Sequence, residues 1–422
     1  MRILFLLYSF PVPSQTFILN QIIGLIEQGH EVTILAEHQS EHHITDSWFA
    51  AHQLEERTHF INPIPKNMAL RVLKAIYLWL KHGWMSHLVL LSSLNFVKFG
   101  RHALNLRLFY HAITALNHPD YDIIHCHFGP SGEMGARLRE IGALDGILIT
   151  TFYGYDLYQE SCLSKFRNYA FLFEVGDLYI AISETMRVRM EALGCPGDRI
   201  ITHPLPIHLN RFVQNKGVIN NTEPTNIVTI GRFVPKKGIE YGLRAVAQLL
   251  DSGMNVRYTL IGDGLLNSKI TQLIHELNLE SHVELVGWAS QTRVIQELQR
   301  ANILLAASVT AANGDQEGTP MVILEAMAAG VPVVSTHHSG IPDIVEDGVT
   351  GLLAPEGDVE ALTAALMRLI QHPELRSQMG RAGRNYVESG HNGRLLTQQL
   401  EEIYMNLLIH QNAGAYGVGM DG

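Results

Sequence analysis

Cysteine is scarce in this chain. Cys126, Cys162 and Cys195 are the only three, they show no CxxC spacing, and an odd number leaves no complete disulfide framework. That pattern reads as a reduced, cytoplasmic protein. Metal-ligand spacing is missing too, since the 22 histidines include no HExxH and no paired Cys/His motif. The nearest approach, His125-Cys126-His127, sets two histidines on one face of a predicted strand, and a structural role is the preferred reading over a metal site. A dinucleotide fingerprint is absent in the right context. The GDG at 262–264 has Asn267 where a third glycine belongs, and GPSGEMG (129–135) has the wrong spacing. The literal GxGxxG, GVGMDG at 417–422, is the end of the sequence given, has no strand before it and reads as a loose tail, which disfavours a nicotinamide dehydrogenase.

Acid is the other absence. From Arg57 to Pro119 there is no Asp or Glu, while eight Lys and Arg residues lie there; with a whole-chain net charge of −10, the remainder carries −18. The overall acidity argues against nonspecific nucleic-acid binding. Tyr77, Trp79, Trp84, Phe96 and Phe99 interleave with the cations of the 57–119 stretch. Its longest charge-free segment, 82–97, is too short and too polar to span a bilayer. Two readings stand side by side: amphipathic helices docking on an anionic membrane surface, or helices packed on a sheet with a solvated basic face. Residues 2–10, RILFLLYSF, resemble a signal peptide, but no small-x-small site follows and Pro11 and Pro13 do; a buried first strand is preferred.

What is present is an alternation. At 422 residues, 46% hydrophobic and 17% charged, the chain is an ordinary globular sequence too long for one core. RILFLLYSF reads as a strand, SQTFILNQIIGLIEQ as a helix with Ser14 as its cap and Gly29 closing it, and HEVTILAE as a strand. Such a short unit implies parallel strands and a right-handed crossover. Apolar strands follow at 121–128, 146–152 and 177–183, and the pattern restarts with TNIVTIGRF at 225–233. The fold class is therefore α/β, with two doubly wound Rossmann-like domains facing across a cleft. The expected division is 1–210, 211–393, and a C-terminal helix and tail at 394–422 that packs back on either domain, with a linker near 205–224.

In open parallel sheets ligands bind beyond the carboxyl ends of the strands. The second-half loops there are GRFVPKKG (231–238), with Gly231, Arg232, Lys236 and Lys237, then Gly262 and Gly264 of GDG, then EGTPMVILE (317–325). Cations at a strand's end suit a diphosphate. Thr319 is placed to cap a helix with Pro320 at its first position, leaving Glu317 just outside and Glu325 in the second turn. The helix start offers N–H groups to phosphate, and carboxylates accept hydroxyls, so a nucleotide sugar would use the whole set.

GRFVPKKG, GDG, EGTPMVILEAMAAGVPVVST and HHSGIPDIVEDGVTGLL resemble the retaining, nucleotide-sugar-dependent glycosyltransferases of family 4, which have the GT-B fold. SFPVPSQTFILNQI, HCHFG and SVTAANGDQEGTP resemble the subgroup that builds bacterial exopolysaccharides, such as colanic-acid transferases. The resemblance implies that Glu317 binds hydroxyls of the transferred sugar, Glu325 the ribose, and Arg232 and Lys237 the diphosphate, with Gly318 beside Glu317. It puts His127 near the reacting centre, and Ser14, Thr16, Phe17 and Asp156 on the acceptor side, with Tyr153 where histidine is common. It implies retention by front-face attack with the diphosphate as base, no metal and no cofactor beyond the nucleoside diphosphate sugar as co-substrate. The acceptor would be an oligosaccharide or lipid-linked glycan, handled at the inner face of the membrane. The pair of acids in Asp120-Tyr121-Asp122 reads as structural. Pro206, His208, Ser339 and Asp343 depart from the family pattern. Two other readings predict different behaviour: a nucleotide-sugar epimerase would turn over donor alone, and a silent binding protein would bind donor without transfer.

Overall fold

The computed structural model describes residues 1–12, 15–40, 47–82, 86–117, 120–212 and 224–417. Ser14, Trp84, most of the linker and all but the first residue of GVGMDG lie outside the described residues.

The first half contains β1 (Arg2–Phe10), β2 (Glu31–Gln39), β3 (Thr58–Phe60), β4 (Asp120–His127), β5 (Asp145–Phe152), β6 (Leu178–Ala181) and β7 (Ile200–Thr202). They form one parallel sheet in the order β3-β2-β1-β4-β5-β6-β7. The second half contains β8 (Thr225–Ile230), β9 (Val256–Ile261), β10 (Val283–Gly287), β11 (Ile303–Ala306), β12 (Val333–Thr336) and β13 (Gly351–Ala354). Their order, β10-β9-β8-β11-β12-β13, repeats the same doubly wound pattern.

Burial explains the sequence pattern. Helices cover both faces of each sheet, so strands need apolar residues at successive positions rather than at alternate ones. Ile3, Leu4 and Phe5 of β1 are at most 1% exposed, and Ile303, Leu304 and Leu305 of β11 likewise. β1 pairs with β2 from Arg2 opposite Glu31 to Phe10 opposite Gln39, and with β4 from Ile3 opposite Ile123 to Leu6 opposite Cys126.

The first helix runs Thr16–Glu27 and its N-cap position is Gln15, whose side chain makes no capping bond. Gly29 closes the helix at φ 86°, a left-handed conformation that glycine adopts without strain. Asp122 accepts a hydrogen bond from the Arg2 backbone N–H at 2.6 Å, which ties β4 to the entrance of β1.

The last helix is Gly393–Gly417, longer than the sequence pattern predicts. It lies on the helix Thr16–Glu27: a Cβ at Gly24 would come within 2.5 Å of Thr397 Oγ1. Glu401 meets His30 Nε2 at 3.0 Å, and Tyr404 reaches His125 at 2.6 Å. The last helix thus packs back on the first half.

Candidate active site

Both sheets break their strand order at one point, β1/β4 in the first and β8/β11 in the second, and the loops leaving these strands carry the candidate site residues. After β8 the chain turns at Gly231, whose N–H donates to Ile261 O at 2.9 Å. After β9 it turns at Gly262, with φ 142°, where a Cβ would sit 1.9 Å from Gly231 O. No other residue fits there, so the two glycine turns stack and bring backbone to the mouth of the sheet.

The adjacent lysines of GRFVPKKG part company. Lys236 is buried, with Nζ 3.0 Å from Asp315 Oδ1 and donating to Gln316 O at 2.9 Å. It ties down the loop after β11 and is not a free cation for a diphosphate. Lys237 lies over Gly231, with Cε 3.2 Å from where a Cβ would be, and its Nζ is 3.1 Å from Glu317 Oε1. Arg232 is exposed.

Glu317 is held on three sides. Its N–H donates to His338 Nε2 at 3.1 Å, and its carbonyl accepts from the Ser339 hydroxyl at 2.7 Å. Because His338 Nε2 accepts, its proton sits on Nδ1, 2.6 Å from Glu356 Oε1. Burial would raise the Glu317 carboxyl, but Lys237 and then Lys236 outweigh it and hold the group below its ordinary value. Glu325 differs: burial pushes its carboxyl up, opposed by the bond it accepts from Gln291 Nε2 at 3.0 Å. His338 and Gln291 were not singled out in the sequence. His338 lies in the loop after β12 and Gln291 opens the helix after β10, and reading those segments as closely as the others would have found both.

The helix that follows starts one residue late. It spans Met321–Ala328, and Pro320, with ψ 110°, occupies the N-cap position instead of the first turn. Thr319 therefore stands outside the helix and does not cap it; its buried hydroxyl has no hydrogen-bond partner. The reason is that the Pro320 carbonyl already accepts the Ile323 N–H at 3.0 Å, which begins the helix without a side-chain cap. Gly231, Lys237, Ser308, Pro320 and Val322 line a small cavity at this point.

The first sheet presents different groups. His127 ends β4, fully buried, stacked on Phe5 at 4.9 Å and on His125 at 4.3 Å. Its Nδ1 shares a 2.6 Å hydrogen bond with the Tyr153 hydroxyl, while Nε2 has no partner. Burial, reinforced by His125, keeps His127 well below the ordinary imidazole value, and His125 is itself held down to about 3 by burial. Both rings are neutral at neutral pH. Phe17 packs on Tyr153 with ring centroids 4.6 Å apart and tilted, and Thr16 precedes it, half-buried, at the helix start. Asp156 is fully buried, and its carboxylate accepts N–H bonds from Gly129 at 3.0 Å, Tyr153 at 3.1 Å and Gly154 at 2.8 Å. It shapes the turn carrying Tyr153 rather than presenting a free oxygen to the cleft.

That turn meets the second half. A Cβ at Gly318 would lie 1.9 Å from Tyr153 O, and one at Gly154 would lie 2.9 Å from Gly318 N. Nearby, the Thr185 hydroxyl donates to Asp343 at 3.0 Å. The loops after β5 and β6 thus touch those after β11 and β12. Among the described residues no group of three or more His, Cys, Asp or Glu is arranged to hold a metal ion.

Two doubly wound sheets facing each other with loops meeting at their carboxyl ends make the GT-B architecture. Solved structures agree: Anabaena HepE in complex with UDP and glucose matches at a TM-score of 0.70 and 19% identity over 96% of this chain and 100% of that one. Sucrose-phosphate synthase from Thermosynechococcus elongatus matches at 0.72 and 20%, over 97% and 100%. The chain belongs to the glycosyltransferases, matching the family models Glycosyltransferase Family 4 over residues 14–211 and Glycosyl transferases group 1 over residues 211–386. It is 34% identical, over 96% of its own length and the whole of the relative's, to WcaL of Salmonella typhimurium, whose name assigns it to colanic acid biosynthesis. The Amylovoran biosynthesis glycosyltransferase AmsK of Erwinia amylovora is also 34% identical, over the same shares.

Proposed function

We propose that this glycosyltransferase moves a hexose from a nucleoside diphosphate sugar to a lipid-linked glycan in exopolysaccharide assembly, with retention and without a metal ion. The observation that carries the reading is the ion pair of half-buried Lys237 with buried Glu317 beside the start of the helix Met321–Ala328. An acid held ionised by a lysine accepts sugar hydroxyls, while that lysine, Arg232 and the free N–H groups of the helix start face the diphosphate. Thr319, a buried hydroxyl without a partner, donates to the same phosphate. Glu325, oriented by Gln291, accepts the ribose hydroxyls. The names of WcaL and AmsK support the exopolysaccharide setting.

In the step itself the bond from the sugar's anomeric carbon to the diphosphate oxygen breaks, and the acceptor hydroxyl attacks from the same face. Its proton passes to the departing diphosphate. Negative charge grows on that oxygen, where Lys237 and Arg232 stabilise it without reorganisation. His127 stays neutral and offers Nε2 to a sugar hydroxyl.

The test is release of nucleoside diphosphate from a panel of nucleotide sugars in chelator, with lipid-linked glycan present and absent, alongside Glu317→Ala. Acceptor-dependent release from one donor, lost in the variant and giving a product of unchanged anomeric configuration by NMR, supports the reading. Donor binding without release in any combination would replace it with a binding protein.

A further inference from the structure

More than half of the exposed large apolar side chains among the described residues fall between positions 68 and 104. The helix Met68–His82 is the centre of this patch, and it is inside out. Leu70, Leu73, Ile76, Tyr77 and Leu80 are between 49% and 80% exposed and recur at helical spacing along one stripe. The face turned to the protein holds buried Ala75 and Leu78 together with two cations. Arg71 donates to Pro65 O at 2.8 Å and Asn105 O at 3.0 Å, and Lys74 to Pro63 O at 2.7 Å. An ordinary surface helix does the reverse, hiding its apolar stripe. The orientation is anchored, because Trp79 packs on Phe109 at 6.2 Å and the Tyr110 hydroxyl donates to Arg71 O at 2.7 Å.

The stretch of chain that carries the stripe is charged with one sign. No acid occurs from 57 to 119, and of the lysines and arginines in that stretch only Lys98 and Arg107 form ion pairs, with Glu140 and Glu37, among the described residues; His111 also lies 3.5 Å from Glu37. Lys66, Lys81 and Arg101 are exposed and carry no carboxylate partner among the described residues. A contiguous apolar surface of this kind marks an interaction site. Two copies of the chain meeting through it would bring two acid-free cationic rims together, which disfavours self-association.

We propose that this face seats the protein on an anionic lipid bilayer. The stripe from Leu70 to Leu80 enters the acyl boundary, and Lys66, Lys81 and Arg101 remain at the headgroup phosphates. No helix among the described residues is long and apolar enough to cross a membrane, and this mode of attachment requires none. The inference goes beyond the transfer reading and rests on different residues, so either can fail alone.

The test is sedimentation of the full chain with phosphatidylcholine vesicles and with vesicles containing phosphatidylglycerol, at low and high salt. The protein is expected to bind the anionic vesicles, more weakly at high salt. Leu73→Ser/Leu80→Ser weakens that binding about a hundredfold, from two leucines no longer buried. Lys66→Gln, Lys81→Gln and Arg101→Gln each weaken it about five-fold at low salt. All these positions are exposed, and near-UV circular dichroism checks that the fold is kept. The proposal is overturned by failure to bind anionic vesicles at low salt. It is equally overturned by variants that bind like the parent, or by concentration-dependent dimers that Leu73→Ser/Leu80→Ser abolishes.

Discussion

At the break in strand order of the first sheet, Phe5 of β1 stacks on His127 of β4, and the neighbouring groups are His125, Tyr153 and Phe17. At the same place in the second sheet, Lys237 from the loop after β8 meets Glu317 from the loop after β11. One strand order thus carries a neutral aromatic cluster in one half and an ion pair in the other. The difference teaches that the doubly wound pattern supplies a location only. On the proposed reading the charged half holds a diphosphate, and the neutral aromatic half offers flat faces and hydrogen-bonding groups to a glycan acceptor.

The sharpest way to break the comparison is to remove the charge. Lys237→Met should lower turnover about a hundred- to a thousandfold, the size seen when one preorganised group at a developing charge is lost. It should also destabilise the fold by about 3 kcal/mol, because Glu317 is left buried and unpaired. Glu317→Gln/Lys237→Met should recover most of the stability and none of the turnover, measured by urea denaturation and diphosphate release. Since Lys237 and Lys236 hold the Glu317 carboxyl below its ordinary value of 4.5, the pair's contribution is complete above that pH and fades as pH falls through the lowered value. The double variant should lack that acid-side loss. If Lys237→Met turns over like the parent, the second half's charge is not catalytic.

Next in size is the seam between the halves. Gly318→Ala would force the added methyl into Tyr153 O, 1.9 Å from its position, and push the two loops apart. Turnover should fall about a hundredfold, as misplacement by about an ångström does, with little change in the stability of either sheet. Equal activity in the variant would mean that this contact does not set the working geometry.

Why some of this was legible in the sequence and some was not follows from range. Buried parallel strands announce themselves by apolar runs, so β1, β4, β5, β6 and β8 could be placed, whereas β3 and β7 have three residues each and show no period. The positions of Lys237, Glu317 and Glu325 at the strand ends follow from local order along the chain. Which of two adjacent lysines is committed to structure does not, because Lys236 is claimed by Asp315, 79 residues away. Thr319 next to Pro320 fits either of two helix starts, and only the backbone angles separate them. The amphipathic period of Met68–His82 is plain in the sequence, but not which face turns outward.

The comparison can be sharpened by acid. His125 and His127 are kept neutral by burial, yet unfolded they would bind protons near the ordinary value of 6.5. A base whose folded pKa is depressed makes the unfolded chain the better proton binder, so stability falls as pH drops below 6.5, by up to about 1.4 kcal/mol per pH unit for each ring. The first half should therefore lose more hydrogen-exchange protection, corrected for intrinsic rates, than the Lys237–Glu317 half, where burial also holds His391 low. His125→Asn should flatten the dependence. Equal loss in both halves between neutrality and the carboxylate range would contradict the assignment.

The smallest expected effect is at Thr319. Its hydroxyl is buried without a partner, a cost the apo protein bears unless a ligand supplies an acceptor. Thr319→Val keeps the shape and removes that group. Stability of the free protein should stay level or rise by about 1 kcal/mol, while donor affinity falls about tenfold, the worth of one hydrogen bond to a charged oxygen. Calorimetric titration with the nucleotide sugar and urea denaturation read the two sides separately. The opposite signs are what distinguish a ligand-binding hydroxyl from a structural one. Lower stability with unchanged affinity would return Thr319 to the fold and leave the phosphate to Lys237, Arg232 and the helix start.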